Sequence, residues 1–119
     1  MGADDISELF RSFGPVVVRR LFGGAGVYAD GLMLALEHDG VIYLKSDAQN
    51  GPAFDREHLP PFTYETKDGR RSVMSYRRVP ERLYDDPDEL ATWARDALAA
   101  AARAAARRPR RPARTKKPR

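Results

Sequence analysis

The sequence predicts an α+β fold, a two-layer sandwich in which an antiparallel sheet of about five strands carries helices on one face. Three observations predict it. Apolar residues recur with helical period near both ends of the chain. Between those ends lie short alternating runs separated by Asp30-Gly31, Asp39-Gly40 and Asp68-Gly69, the dipeptide suited to the positive φ angles of tight hairpins. At 119 residues the chain has length for one domain, and helices on one side of a meandering sheet are the simplest way to bury both patterns.

The elements follow in order. Ile6, Leu9, Phe10 and Phe13 fall at i, i+3, i+4 and i+7, one face of a short helix. Asp5 with Glu8 three residues on resembles a capping box, and Gly14-Pro15 stops the helix. Leu32–Leu36 is bracketed by two Asp-Gly turns, so it reads as a central strand between neighbours at about 25–30 and 41–46. Leu32, Leu34 and Leu36 should share its core face. Asp47 suggests the start of a weak helix through Phe54, interrupted at Gly51-Pro52 and ended by Pro60-Pro61. A second hairpin runs from Phe62-Thr63-Tyr64 through Asp68-Gly69 to Val73–Tyr76. Asp86 then caps a helix with Pro87 first and Glu89 third. Leu90, Trp93, Ala94, Ala97, Leu98 and Ala101 form its apolar stripe, and alanine carries it to about Arg107 before Pro109.

Charge divides the chain in two. Residues 103–119 hold nine basic residues and no acid: Arg103, Arg107, Arg108, Arg110, Arg111, Arg114, Lys116, Lys117 and Arg119. Residues 1–102 hold twelve basic and seventeen acidic residues, a net charge of −5. The sequence thus predicts a mildly acidic domain over 1–102 and a basic, disordered tail over 103–119, the helix reaching into it to about 107. A stretch of cations with no compensating acid seeks polyanions, and nucleic-acid phosphate is the expected partner, through contacts that hold without reading sequence. Absence of cysteine excludes disulfides, thiolate metal sites and a cysteine nucleophile, and points to the reducing cytoplasm. No apolar run has the length to span a membrane, and the acidic first residues do not resemble a secretory signal.

Chemistry is sparsely signalled, and neither a cofactor nor a metal is expected. His38 and His58 stand in polar turns without partners at ligand spacing. Asp85, Asp86, Asp88 and Glu89 are explained by the start of the last helix, where carboxylates meet its positive end. No serine has a neighbouring base or a nucleophile elbow. Phe22-Gly23-Gly24-Ala25-Gly26 fits neither the P-loop nor the dinucleotide fingerprint, because a strand-like Val27-Tyr28-Ala29 follows where a helix belongs. Glycines there suit a bend or a close backbone approach. The competing reading is a small-ligand or enzymatic site at the Gly23-Gly24 bend with Arg20, Tyr28 and Lys45. Arg19-Arg20, Arg70-Arg71 and Arg77-Arg78 each place one arginine on either face of a strand, where cross-strand partners such as Glu37 or Glu65 suffice as an explanation. A nucleic-acid-reading sheet would need exposed aromatics beside them, and Tyr28, Tyr43, Tyr64 and Tyr76 are available.

Taken in order, several motifs resemble the N-terminal domain of the TfoX/Sxy competence-regulator family. They are Arg20-Leu21-Phe22-Gly23-Gly24, Gly26-Val27-Tyr28, Asp30-Gly31, Ile42–Asp47, Pro61–Tyr64, Met74-Ser75-Tyr76 with Val79-Pro80-Glu81, and Asp85–Leu90 before Trp93-Ala94. The resemblance covers about residues 6–100. It implies a two-layer fold similar to small secretion-chaperone-like domains, and a role in bacterial transcription or competence regulation. It implies no catalytic residue. The expected function is therefore a non-enzymatic regulatory or adaptor domain that meets a transcription-regulator protein and touches nucleic acid through its tail. A chaperone-like, protein-binding homodimer with a solubilising tail is the other reading that the fold likeness allows.

Overall fold

A computed structural model describes residues 1–21 and 23–108. Helix α1 (Ala3–Leu9) leads into β1 (Val17–Leu21), β2 (Gly24–Ala29), β3 (Leu32–His38) and β4 (Val41–Lys45). Helix α2 (Gly51–Arg56), strands β5 (Pro61–Glu65) and β6 (Arg71–Arg78), a 3₁₀ turn (Glu81–Asp85) and the long helix α3 (Pro87–Arg107) complete the described residues. All strands join one antiparallel sheet in the order β1-β2-β3-β4-β6-β5. The α+β class is as expected, with six strands in place of about five. The additional strand is β1, whose paired arginines hide the apolar alternation that marks an edge strand.

Hairpin chemistry sets the register. Asp30 and Gly31 have φ of 53° and 74°, and Asp39 and Gly40 have 53° and 78°. Both residues of each pair are thus left-handed, as a two-residue turn matched to strand twist demands. The third pair differs. Only Gly69 is left-handed (φ 84°), and the loop closes through Gly69 N donating to Thr66 O at 3.0 Å and Thr66 N to Arg70 O at 2.8 Å.

One face of the sheet is covered. Ile6, Leu9 and Phe10 from the first helix and its end, Phe54 from α2, and Leu90, Ala94 and Ala97 from α3 pack with Ala25, Val27, Leu34, Ala35, Ile42 and Leu44. Phe54 and Trp93 meet edge to face at 5.1 Å. Asp86 caps α3 by accepting from Glu89 N at 3.1 Å, with Pro87 in the first turn, as the sequence predicts. The α1 prediction needs correcting. Gly2 is its N-cap, and Asp5 sits in the third helical position, its carboxylate accepting from Gly2 N at 3.2 Å. Helix α2 also begins later than Asp47, behind Asn50, and Pro52 lies in its first turn, where a missing N–H costs nothing.

The leucines of β3 do not share one face. Val27 pairs with Ala35 but Tyr28 with Met33, so Leu34 is the extra residue of a bulge. The bulge reverses the alternation. Leu34 and Ala35 both enter the helix-covered core, while Met33 and Leu36 belong to a second cluster on the other face.

Candidate functional site

That second cluster contains strand residues alone. Leu36, Phe62 and Tyr76 are its buried members, with Met33, Tyr43, Tyr64 and Met74 packed against them. The helices' buried side chains all sit on the opposite face, so this face of the sheet is uncovered among the described residues. Its side chains enclose a cleft of about 540 Å³, floored by Met33 and Leu36 and walled by Phe62, Tyr64 and Met74.

Rings in this layer are held edge on and topped by cations. Phe62 meets Tyr43 at 4.8 Å and His38 at 5.4 Å. Arg19 lies over the Tyr28 ring at 5.7 Å, and Lys45 over Tyr76 at 5.0 Å. The Tyr76 hydroxyl donates to Met33 O at 3.3 Å, beside the bulge, and burial pushes its pKa up to about 12. Lys45 Nζ also donates to Ser75 Oγ at 2.7 Å.

A basic end lies next to this face. Helix α3 delivers Arg107 and Arg108, both exposed, at its last turn. Their charge reaches Lys45: its pKa is lowered first by desolvation, then by Arg108, while Asp47 partly opposes the shift. Arg103 behaves otherwise. Its Nε and Nη2 donate to the two Asp47 carboxylate oxygens at 2.7 and 3.0 Å. Asp47 also accepts from Gln49 N and Asn50 N, and these donors, Arg103 foremost, hold its carboxyl at about 2. Arg103 therefore belongs to the folded body and is withdrawn from the set of tail cations. Arg110, Arg111, Arg114, Lys116, Lys117 and Arg119 lie outside the described residues.

The five residues proposed for a ligand at the glycine bend do not converge. Arg20 pairs with Ala25, on the side opposite Arg19 and Tyr28. Gly23 has φ 79° and open space around it, whereas a Cβ on Gly24 would stand 2.0 Å from Glu37 O. Gly24 is thus a close approach of backbone to backbone. Gly26 makes room on the uncovered face for Leu21, Met33 and Tyr28, each 2.8–2.9 Å from where its Cβ would be. Lys45 stands on the far side of β3, two strands away from β2.

Most remaining polar candidates hold the fold together. Arg77 grips Asp55 at 2.7 Å and Leu59 O at 2.7 and 3.0 Å, with its guanidinium 5.7 Å from the Phe54 ring centre. Arg82 spans Glu57 and Glu89 at 2.5 and 2.9 Å, tying α2 to α3. Glu37 accepts from Gly40 N at 2.8 Å, so it braces a turn. In the acidic run, Asp86 caps, Asp88 accepts from Ser12 Oγ, and Glu89 takes Arg82 and Trp93 Nε1. Among the described residues no three His, Cys, Asp or Glu side chains group as metal ligands would, and no helix is long and apolar enough to cross a membrane. The uncovered, aromatic sheet face is what sequence reasoning missed as a unit. Four tyrosines beside strand arginines signalled it, but the bulge decides which leucines join them.

Comparison with known proteins agrees with this architecture. The model of the TfoX N-terminal domain matches residues 8–101. Protein Sxy of Escherichia coli (strain K12) is 29% identical over 94 residues, which cover 79% of this chain and 44% of that protein. The chain thus spans less than half the length of this curated relative. Matched from α1 to the buried part of α3, the chain belongs to the TfoX N-terminal domain family.

Proposed function

We propose that this protein is a non-enzymatic bacterial regulatory or adaptor domain, whose folded body docks on a partner protein while its basic end holds nucleic-acid phosphate. One observation carries the reading: α3 projects Arg107 and Arg108 from the body beside Lys45, and the neighbouring carboxylate, Asp47, is already occupied by Arg103. Cations gathered at one end gain when an anion enters. Six further cations follow directly in the sequence. Kinship with the TfoX N-terminal domain supports a place in cytoplasmic transcription or competence control, with a transcription regulator as the partner.

The test keeps Arg103, because removing it would disturb the fold. Arg107 and Arg108 are changed together to Gln, and residues 109–119 are deleted separately. Binding of each form to a fluorescent DNA duplex is measured from about 50 to about 200 mM salt. The expected result is weaker binding and a salt slope reduced by about 0.9 for each phosphate-bound cation removed. Unchanged affinity and slope in both forms would overturn the reading.

A further inference from the structure

The uncovered cleft has its own partner chemistry. Its floor and walls are Met33, Leu36, Phe62 and Met74, adaptable and apolar. Ser72, paired with Tyr64, is the exposed residue of β6 on the same lining. The strand positions that share this face carry Arg19, Lys45 and Arg78, opposite Gly26, Tyr76 and Tyr43 in the pairing. One carboxylate, Glu37, lines the cleft, and it is 6% exposed and bonded to Gly40 N. Asp30 lines the surface beside Arg19 and Tyr28, so on this face three cations stand against one exposed carboxylate.

We infer that this cleft is a docking groove for a partner-protein segment that presents a bulky apolar side chain flanked by carboxylates. The inference rests on the docking half of the adaptor reading and gives it a chemistry. Geometry favours a segment over a small molecule. Arg19 on β1 and Arg78 on β6 are four strand spacings apart, about 19 Å at roughly 4.8 Å each. A ligand meeting both must span the sheet, as about six extended residues do. Single-stranded nucleic acid fits less well, because stacking needs open ring faces. Here the Tyr28 and Tyr76 rings lie under Arg19 and Lys45, and Phe62 is buried against Tyr43 and His38. A second copy of the chain would set cationic face against cationic face.

The experiment pans a random linear peptide library on the full chain, then titrates the enriched peptide by NMR and calorimetry. Expected peptides pair an aromatic or long aliphatic residue with Asp or Glu, and shift the amides of Met33, Leu36 and Met74. Ser72→Asp, at an exposed position paired with Tyr64, and Arg78→Glu should each weaken binding about tenfold while far-UV dichroism and thermal midpoint stay unchanged. Peptides without acids, indifference to both variants, or no enrichment would overturn the inference. So would displacement of the peptide by oligo-dT, or a dimer in sedimentation that Ser72→Asp dissolves. Duplex binding through Arg107 and Arg108 is measured on the same variants. If it persists while peptide binding is absent, the groove fails alone; if it is absent while peptides bind, the phosphate reading fails alone.

Discussion

Gly24→Ala separates a structural glycine from a ligand-binding one. The added methyl would stand 2.0 Å from Glu37 O and 3.1 Å from its carbonyl carbon, both backbone atoms. Ordinary carbon–oxygen contact begins near about 3.3 Å, so β2 and β3 must part by roughly 1 Å. Overpacking of this kind costs about 1–3 kcal/mol, and a ladder hydrogen bond weakened by the separation adds about 1 kcal/mol. The expected loss is about 3 kcal/mol. Gly23→Ala is the control one residue away. Its methyl meets open space, but φ is 79°, and the left-handed conformation costs a non-glycine residue about 1–2 kcal/mol. Urea unfolding followed by far-UV dichroism reads both, with equal m values expected. If Gly24→Ala is no less stable than Gly23→Ala, the close approach of β2 to β3 is wrong and a ligand role for the bend returns.

Three further outcomes are expected. Phe54→Ala removes a ring that is 1% exposed and edge to face with Trp93; it should cost about 3–5 kcal/mol and shift the emission of the single tryptophan to the red. Asp47 is held near 2 in the native state against an ordinary 3.8, with the Arg103 hydrogen bond as the main cause. Its stabilisation is therefore complete above about pH 4 and lost as pH falls toward 2, and Arg103→Gln should flatten the thermal midpoint over that window in acid melts. Tyr76 is the reverse case: burial raises its pKa to about 12 from 10, so its contribution is intact below about pH 10 and lost as pH rises to 12. Phenolate absorbance should show a late-titrating tyrosine that Tyr76→Phe abolishes.

Local signals were legible where one residue type has one conformational answer. Asp30-Gly31 and Asp39-Gly40 gave two hairpins, and Asp86-Pro87 with Glu89 gave the start of α3. Asp68-Gly69 spells the same dipeptide yet builds a longer turn, because Thr66 closes the loop on Arg70. The leucines of β3 could not be sorted from sequence. A bulge at Leu34 appears only in the pairing with β2, and a one-residue shift exchanges the faces. Arg103 was illegible for a related reason. Seen along the chain it opens a run of cations, but its partner Asp47 lies 56 residues away. The candidate site divided the same way: its tyrosines and arginines were individually visible, while their assembly into one uncovered face depends on strand order.

Net charge is the wrong descriptor for how this domain meets its surroundings. Residues 1–108 hold fifteen basic and seventeen acidic side chains, a near balance that implies no preference. The arginines nevertheless sort by task. Arg77, Arg82 and Arg103 are spent on Asp55, Glu57, Glu89 and Asp47, where the same contacts tie α2 and α3 to the sheet and to each other. Those pairs cancel within the helix layer. Among the described residues Arg19, Arg20, Arg56, Arg71, Arg78, Arg95, Arg107 and Arg108 form no ion pairs; of these, Arg19 and Arg78 stand on the uncovered face and Arg107 and Arg108 at the end of α3. Unpaired cations therefore occur on both faces, and a screened charge acts over about 8–10 Å, less than the breadth of the sheet. An approaching molecule therefore meets the local sign. On the proposed reading, a body of slightly negative total charge would present an apolar cleft to acidic segments, and its basic end would hold phosphate without the body repelling it.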